Sequence, residues 1–258
     1  MLKKTALTIA AAIPLLVAAV HAEAAQLKVL VSGAMAHALE EISEDFARKN
    51  GHTLDFVVGT TGVLQDRVRA GEAADVIEVT SAGMDALEKE MLAVPGTRVE
   101  LARALIGVTV PDGAALPDIS TPEALKKRLI SARSVAYIDP KAGGQAGAAI
   151  MGLLQRLGIA EEVVKKSVYG RTGAESVQKM VAGEADIAIS FMSEIMPIKG
   201  AKLVGPLPAA VQNPSTYAGA IGIRSANPEI ARALLRAMTG AEARRVITEA
   251  GLEPLPAR

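Results

Sequence analysis

From Leu27 onward, strand-patterned and helix-patterned runs alternate along the chain, and this alternation restricts the fold more than any other feature. Leu27–Val31, Thr53–Val58 and Asp75–Val79 are short apolar runs of strand length. Ala36–Lys49, Val63–Ala70 and Gly83–Glu90 between them carry helical spacing. In Ala36–Lys49, Leu39, Ile42 and Phe46 share one face, and Asn50-Gly51 is its stop signal. The pattern resumes after Thr121, a candidate N-cap followed by Pro122. Strands read at Ser134–Ile138, Val168–Gly170 and Asp186–Ser190, and helices at Ala148–Leu157, Glu161–Lys166 and Ala174–Val181. Leu203–Pro214 reads as proline-rich and irregular, and two helices, Pro228–Met238 and Ala241–Ala250, end the chain. Repeated strand–helix alternation predicts an α/β fold, with mostly parallel sheets flanked by helices.

Two longer apolar runs, Val99–Val110 and Tyr217–Arg224, read as strands crossing between two lobes. They place residues 25–108 and 217–258 in one lobe and 109–216 in the other. Two lobes make a cleft where a small ligand can bind, and the crossing strands make a hinge.

The turns that open helices carry the chemistry. Asp139-Pro140-Lys141-Ala142-Gly143-Gly144-Gln145-Ala146-Gly147 joins a strand to a helix. Ser32-Gly33-Ala34-Met35 and Gly59-Thr60-Thr61-Gly62 do the same earlier in the chain. A glycine-bearing turn at a helix N-terminus presents free N–H groups and the positive end of the helix dipole to a small anion. Gln145 adds side-chain donors and an acceptor. Arg171, in Tyr169-Gly170-Arg171-Thr172-Gly173, offers a planar guanidinium to a carboxylate, and His37 is a further candidate donor.

Composition narrows the classes. The 28 basic and 28 acidic side chains balance, leaving no basic footprint for nucleic acid. Cysteine is absent, which excludes disulfides, thiolate metal sites and cysteine nucleophiles. Tryptophan is absent and there are three Phe and three Tyr, which disfavours sugar and nucleobase platforms. No HExxH spacing or GxSxG elbow occurs, so neither catalysis nor a metal or other cofactor is expected. Residues 1–24 have a basic start at Lys3 and Lys4, an apolar run and Ala22-Glu23-Ala24 at the end. They read as a cleaved signal peptide leading to the periplasm.

These segments together resemble the periplasmic solute-binding proteins of ABC importers, in the molybdate-binding-protein-like group. The resemblance covers about Leu27 to Leu255. It rests on Ser32–Met35, Gly59–Gly62, Ala70–Val76, Asp139–Gly147, Gly183–Ala188 and Ser193–Gly200. It implies the two-lobed periplasmic-binding-protein fold, a monomer without catalysis, and delivery of a small anionic ligand to an ABC permease complex in the inner membrane. A ligand-loaded sensor docking on a membrane receptor is the alternative role. In the molybdate and tungstate binders the oxyanion is held by serine and tyrosine hydroxyls and by backbone N–H groups. Carried over, the serines fall on Ala34 and Thr61, the backbone donors on Ala146 and near Gly173, and the tyrosine on Phe191. Ala34 and Phe191 lack the hydroxyl, which tilts the expectation from a metal oxyanion toward a small organic carboxylate. The expected ligand contacts are Ser32, Gly33, Ala34, Met35, His37, Thr60, Thr61, Gly144, Gln145, Ala146, Arg171, Thr172, Gly173 and Phe191.

Overall fold

The computed structural model describes residues 24–142 and 144–256. The signal-peptide reading therefore lies outside the described residues but for Ala24. The first half of the chain runs β1 (Gln26–Ser32), α1 (Ala36–Asn50), β2 (Thr53–Gly59), α2 (Thr61–Arg69), β3 (Val76–Thr80), α3 (Ser81–Lys89) and β4 (Val99–Ala104). Next come β5 (Ile106–Pro111), α4 (Pro122–Ser131), β6 (Val135–Ile138), α5 (Gln145–Arg156), α6 (Ala160–Val164), β7 (Ser167–Gly170), α7 (Gly173–Val181), β8 (Ile187–Phe191), α8 (Met192–Ile195) and β9 (Ala201–Pro206). The chain ends with β10 (Ser215–Ile221), α9 (Pro228–Thr239), α10 (Ala241–Glu249) and β11 (Leu252–Pro254).

The strands form two sheets, ordered β11-β4-β10-β3-β1-β2 and β7-β6-β8-β5-β9. Parallel pairing is confined to β2-β1-β3 and β7-β6-β8. The strands near the crossings pair antiparallel, so both sheets are mixed rather than mostly parallel. A helical crossover returns each strand parallel to the last, whereas a chain entering from the other lobe arrives from the opposite end.

Val99–Val110 is not one strand. It divides at Leu105: β4 pairs with β10 and β11 in the first sheet, and β5 pairs with β8 and β9 in the second. The return crossing also differs from expectation. Ala201–Pro206 is an edge strand on β5, and β10 lies between β4 and β3. The chain therefore crosses back between Pro206 and Ser215, before Tyr217. Leu203–Pro206, expected to be irregular, belongs to that edge strand, and alternation marked the other strands without saying which ladder each would join.

Local signals explain most element ends. Thr121 accepts a hydrogen bond from the Ala124 N–H with proline in the first turn, as the sequence predicts. Gly51, at φ 73°, closes α1 in the left-handed region that favours glycine. α1 buries Leu39 and Ile42, while Phe46 is only half-buried beside His52. α9 and α10 pack on α1, and β11 pairs with β4. Buried Asp75 accepts from the Lys28 and Asn227 N–H groups and the Ser225 hydroxyl. Among the described residues no helix is long and apolar enough to cross a membrane.

Candidate functional site

The ends of β1, β2, β6 and β7 open into helices whose N-termini face the junction of the lobes. A small cleft there holds about 350 Å3, counting its open mouth. Ser32, Gly33, Ala34, Thr60, Thr61, Gly144, Gln145, Ala146, Thr172 and Phe191 all line it. Turns distant in sequence are thus brought to one place. Met35 lies under the first turn as a fully buried core residue, and Gly173 sits behind the wall against Glu194.

Arg171 and His37 lie elsewhere. The Arg171 side chain is 91% exposed and pairs with Glu175 one helical turn on. The next residue, Thr172, caps α7 by accepting from the Glu175 N–H, and this turn leaves the guanidinium on the outside. His37 is on the exposed side of α1, whose adjacent residues Ala38 and Leu39 are buried.

The structure adds Gly59, Ile138, Glu194 and Tyr217 to the wall. Glu194 comes from α8. Its carboxylate accepts from the Ser190 hydroxyl at 2.7 Å and from the N–H groups of Phe191 and Gly173. A Cβ at Gly173 would collide with Glu194 Oε2, so glycine is required for this approach. Glu194 Oε1 lies 2.9 Å from where a Cβ on Gly33 would sit, so the side chain reaches the opposite lobe. Burial pushes the Glu194 carboxyl above the usual range, while its three donors pull the other way.

Beneath the first turn, Glu78 on β3 is fully buried. It accepts from the Ser32 N–H at 2.7 Å and from the Ser32 hydroxyl at 2.9 Å. Desolvation raises its pKa to about 8 against those two bonds, so Glu78 carries a proton at neutral pH. Tyr217 is 2% exposed and lines the cleft, and no hydrogen bond to its hydroxyl is made among the described residues. Burial, Glu78 and Glu194 together push its hydroxyl well above the ordinary value. Its ring meets Phe191 edge-on, with centroids 6.1 Å apart.

The lobes touch at this cleft. The Thr60 hydroxyl donates to the Ala142 carbonyl at 3.0 Å, and Ser193 donates to the Ala34 carbonyl at 2.6 Å. No lysine or arginine is among the lining residues. Among the described residues no group of three histidine or carboxylate side chains is placed to hold a metal ion. A wider groove between α1 and α9–α10 is lined by surface charges such as Glu41, Asp45 and Lys49.

Glu78 had one sequence signal, a carboxylate between apolar residues in the strand run Asp75–Val79, which Asp75 opens. Glu194 and Tyr217 had none of their own, because long-range folding alone brings them to the turns.

The sequence model of the family described as bacterial extracellular solute-binding protein matches residues 27–253. The chain belongs to this family. It is 31% identical to a protein named aconitate isomerase from Pseudomonas sp., over 90% of this chain and 89% of that one. It is 27% identical to the molybdate-binding protein ModA of Azotobacter vinelandii, over 89% and 90%. A solved structure of the periplasmic molybdate-binding protein of Azotobacter vinelandii aligns with TM-score 0.75 at 22% identity, covering 89% of this chain and 99% of that one. The two-lobed fold expected from the sequence is thus shared. The family is one of solute-binding proteins, yet one relative bears an enzyme's name, so the name of the family does not decide whether this chain catalyses a reaction.

Proposed function

We propose that the protein captures a small organic carboxylate in the cleft between its lobes and delivers it to an ABC permease in the inner membrane. The carrying observation is the make-up of the wall. The α5 N-terminus has no side-chain cap and opens onto the cleft at Gln145 and Ala146, and a buried carboxyl, Glu194, lines the same cleft. The first-turn N–H groups of a helix have no partner within it and suit a carboxylate. A compact oxyanion, charged on every side, would also have to face Glu194. It would lack hydroxyl donors at Ala34 and Phe191, each absent bond costing about 1–3 kcal/mol.

A thermal-shift screen tests this reading with mono-, di- and tricarboxylates, molybdate, tungstate, sulfate and phosphate. A ligand at a hundredfold over its Kd adds roughly 2.7 kcal/mol to folding stability. The expected result is a shift with a carboxylate. A shift with molybdate or tungstate alone contradicts it.

The relative named aconitate isomerase supports a second reading, in which the captured acid is also isomerised. Glu78 and Glu194 are buried carboxyls raised by desolvation, as groups that hold and move protons often are. Incubation with cis-aconitate, followed by NMR for the trans isomer, tests it. Absence of conversion by protein that binds the acid leaves capture alone.

A further inference from the structure

Four helix-opening turns meet at the cleft, and the protein's own carboxyls already engage two of them. At the α1 turn Glu78 takes both donors of Ser32. The Gly33, Met35 and Ala36 N–H groups there go to backbone carbonyls. At the α7 turn Glu194 takes the Gly173 N–H, and Thr172 takes the Glu175 N–H. The α2 and α5 turns have no such carboxyl. Thr60 caps α2 only at Val63, and Gly144 gives α5 no side-chain cap. Both helices exceed two turns, so their first N–H groups carry the dipole's positive end.

An independent observation concerns Tyr217. Tyr217 is almost wholly buried and lines the cavity, and its hydroxyl finds no partner among the described residues. The buried polar atoms without partners among the described residues are Ser43 Oγ and Arg128 Nε, so the Tyr217 hydroxyl is instead open to the cavity, where a ligand group can meet it. Tyr217 lies on β10 and Glu194 on α8, yet both line this small space. The α2 and α5 N-termini meet at Thr60 and Gly144, while Glu194 and Tyr217 are near enough for the carboxyl to act on the hydroxyl, so the cleft brings backbone donors together with a carboxyl and a hydroxyl.

We infer that the ligand is a polarised organic acid: its carboxylate is seated by the N-termini of α2 and α5, and a hydroxyl or protonated second carboxyl at its other end meets Glu194 and Tyr217. This inference rests on the carboxylate-capture reading and specifies which acids the site selects. Glu194 excludes a second full negative charge, and Tyr217 supplies the hydroxyl that Phe191 lacks.

Titration calorimetry on the full folded chain tests it with lactate against propionate, 3-hydroxybutyrate against butyrate, and sulfate and molybdate as compact oxyanions. The wild-type protein is expected to prefer at least one hydroxy acid over its deoxy partner by about tenfold or more. Glu194→Gln keeps the shape and removes the charge. It should erase most of that preference and strengthen sulfate or molybdate binding by about tenfold. Tyr217→Phe should weaken the hydroxy acid about tenfold and leave its deoxy partner within about twofold, and it carries the test alone should Glu194→Gln not fold. If the wild type binds carboxylates and both variants keep its order of preference, this inference is overturned while the capture reading stands. If the wild type binds only oxyanions, both fall.

Discussion

Each lobe contributes one helix-opening turn occupied by a glutamate and one left open. In the first lobe the α1 turn holds Glu78 and the α2 turn does not. In the second the α7 turn holds Glu194 and the α5 turn does not. α5 and α7 follow adjacent parallel strands of one sheet, β6 and β7, so their backbones enter the cleft alike. The difference lies in what reaches each turn from elsewhere in the chain. A glycine at a helix N-terminus is an anion seat only if no internal carboxyl occupies it.

The largest expected effect concerns the occupied pair. Glu78 has a folded pKa of about 8, above its ordinary 4.5, and the Glu194 carboxyl is raised too. Groups raised on folding contribute stability that is full below the unfolded value and lost as pH rises through the folded one. Stability should therefore decline from about pH 5 to pH 8, by up to about 1.4 kcal/mol per unit for Glu78 alone. Calorimetric melts of wild type and Glu78→Gln check this, and the variant should show the shallower decline. Equal slopes would mean that Glu78 is not held protonated.

A smaller effect separates the two turns of the second lobe. In Gly173→Ala the new Cβ collides with Glu194 Oε2 and Ser190 Oγ, and both lie in a packed wall. About 1–3 kcal/mol of stability should be lost, a fall in Tm of about 2–4 °C per kcal/mol. In Gly144→Ala the nearest atom, at 2.8 Å, is the flexible end of Ile138, and the loss should stay below about 1 kcal/mol. Similar losses at both sites would remove the distinction between an occupied and an open turn.

The smallest effect is at Arg171. Its pair with Glu175 is screened by solvent, and it lies outside the cleft. Arg171→Ala should leave ligand affinity within about twofold by calorimetry. The sequence had suggested a carboxylate clamp there, and a tenfold loss would restore that reading.

What the sequence disclosed follows the range of the forces involved. Turns such as Gly59–Gly62 and Gly144–Ala146 are local events of glycine, hydroxyl and helix start, so residues alone place them. The partition of Val99–Val110 between two sheets was hidden, because both halves are equally apolar and only their ladder partners differ. Glu194 sits in Ser193–Gly200, a run with no local chemical pattern, and reaches the α7 turn by tertiary packing. Arg171 failed in the opposite way. Its position beside Thr172 looked chemical, but the α7 cap turns its side chain to solvent.

The most direct test is a crystal structure of the protein with its preferred carboxylate bound. The account predicts a carboxylate oxygen within about 3.2 Å of the Gln145 or Ala146 backbone nitrogen, with Glu194 still on Gly173. A ligand anion on the Gly173 N–H, with Glu194 swung aside, would contradict it.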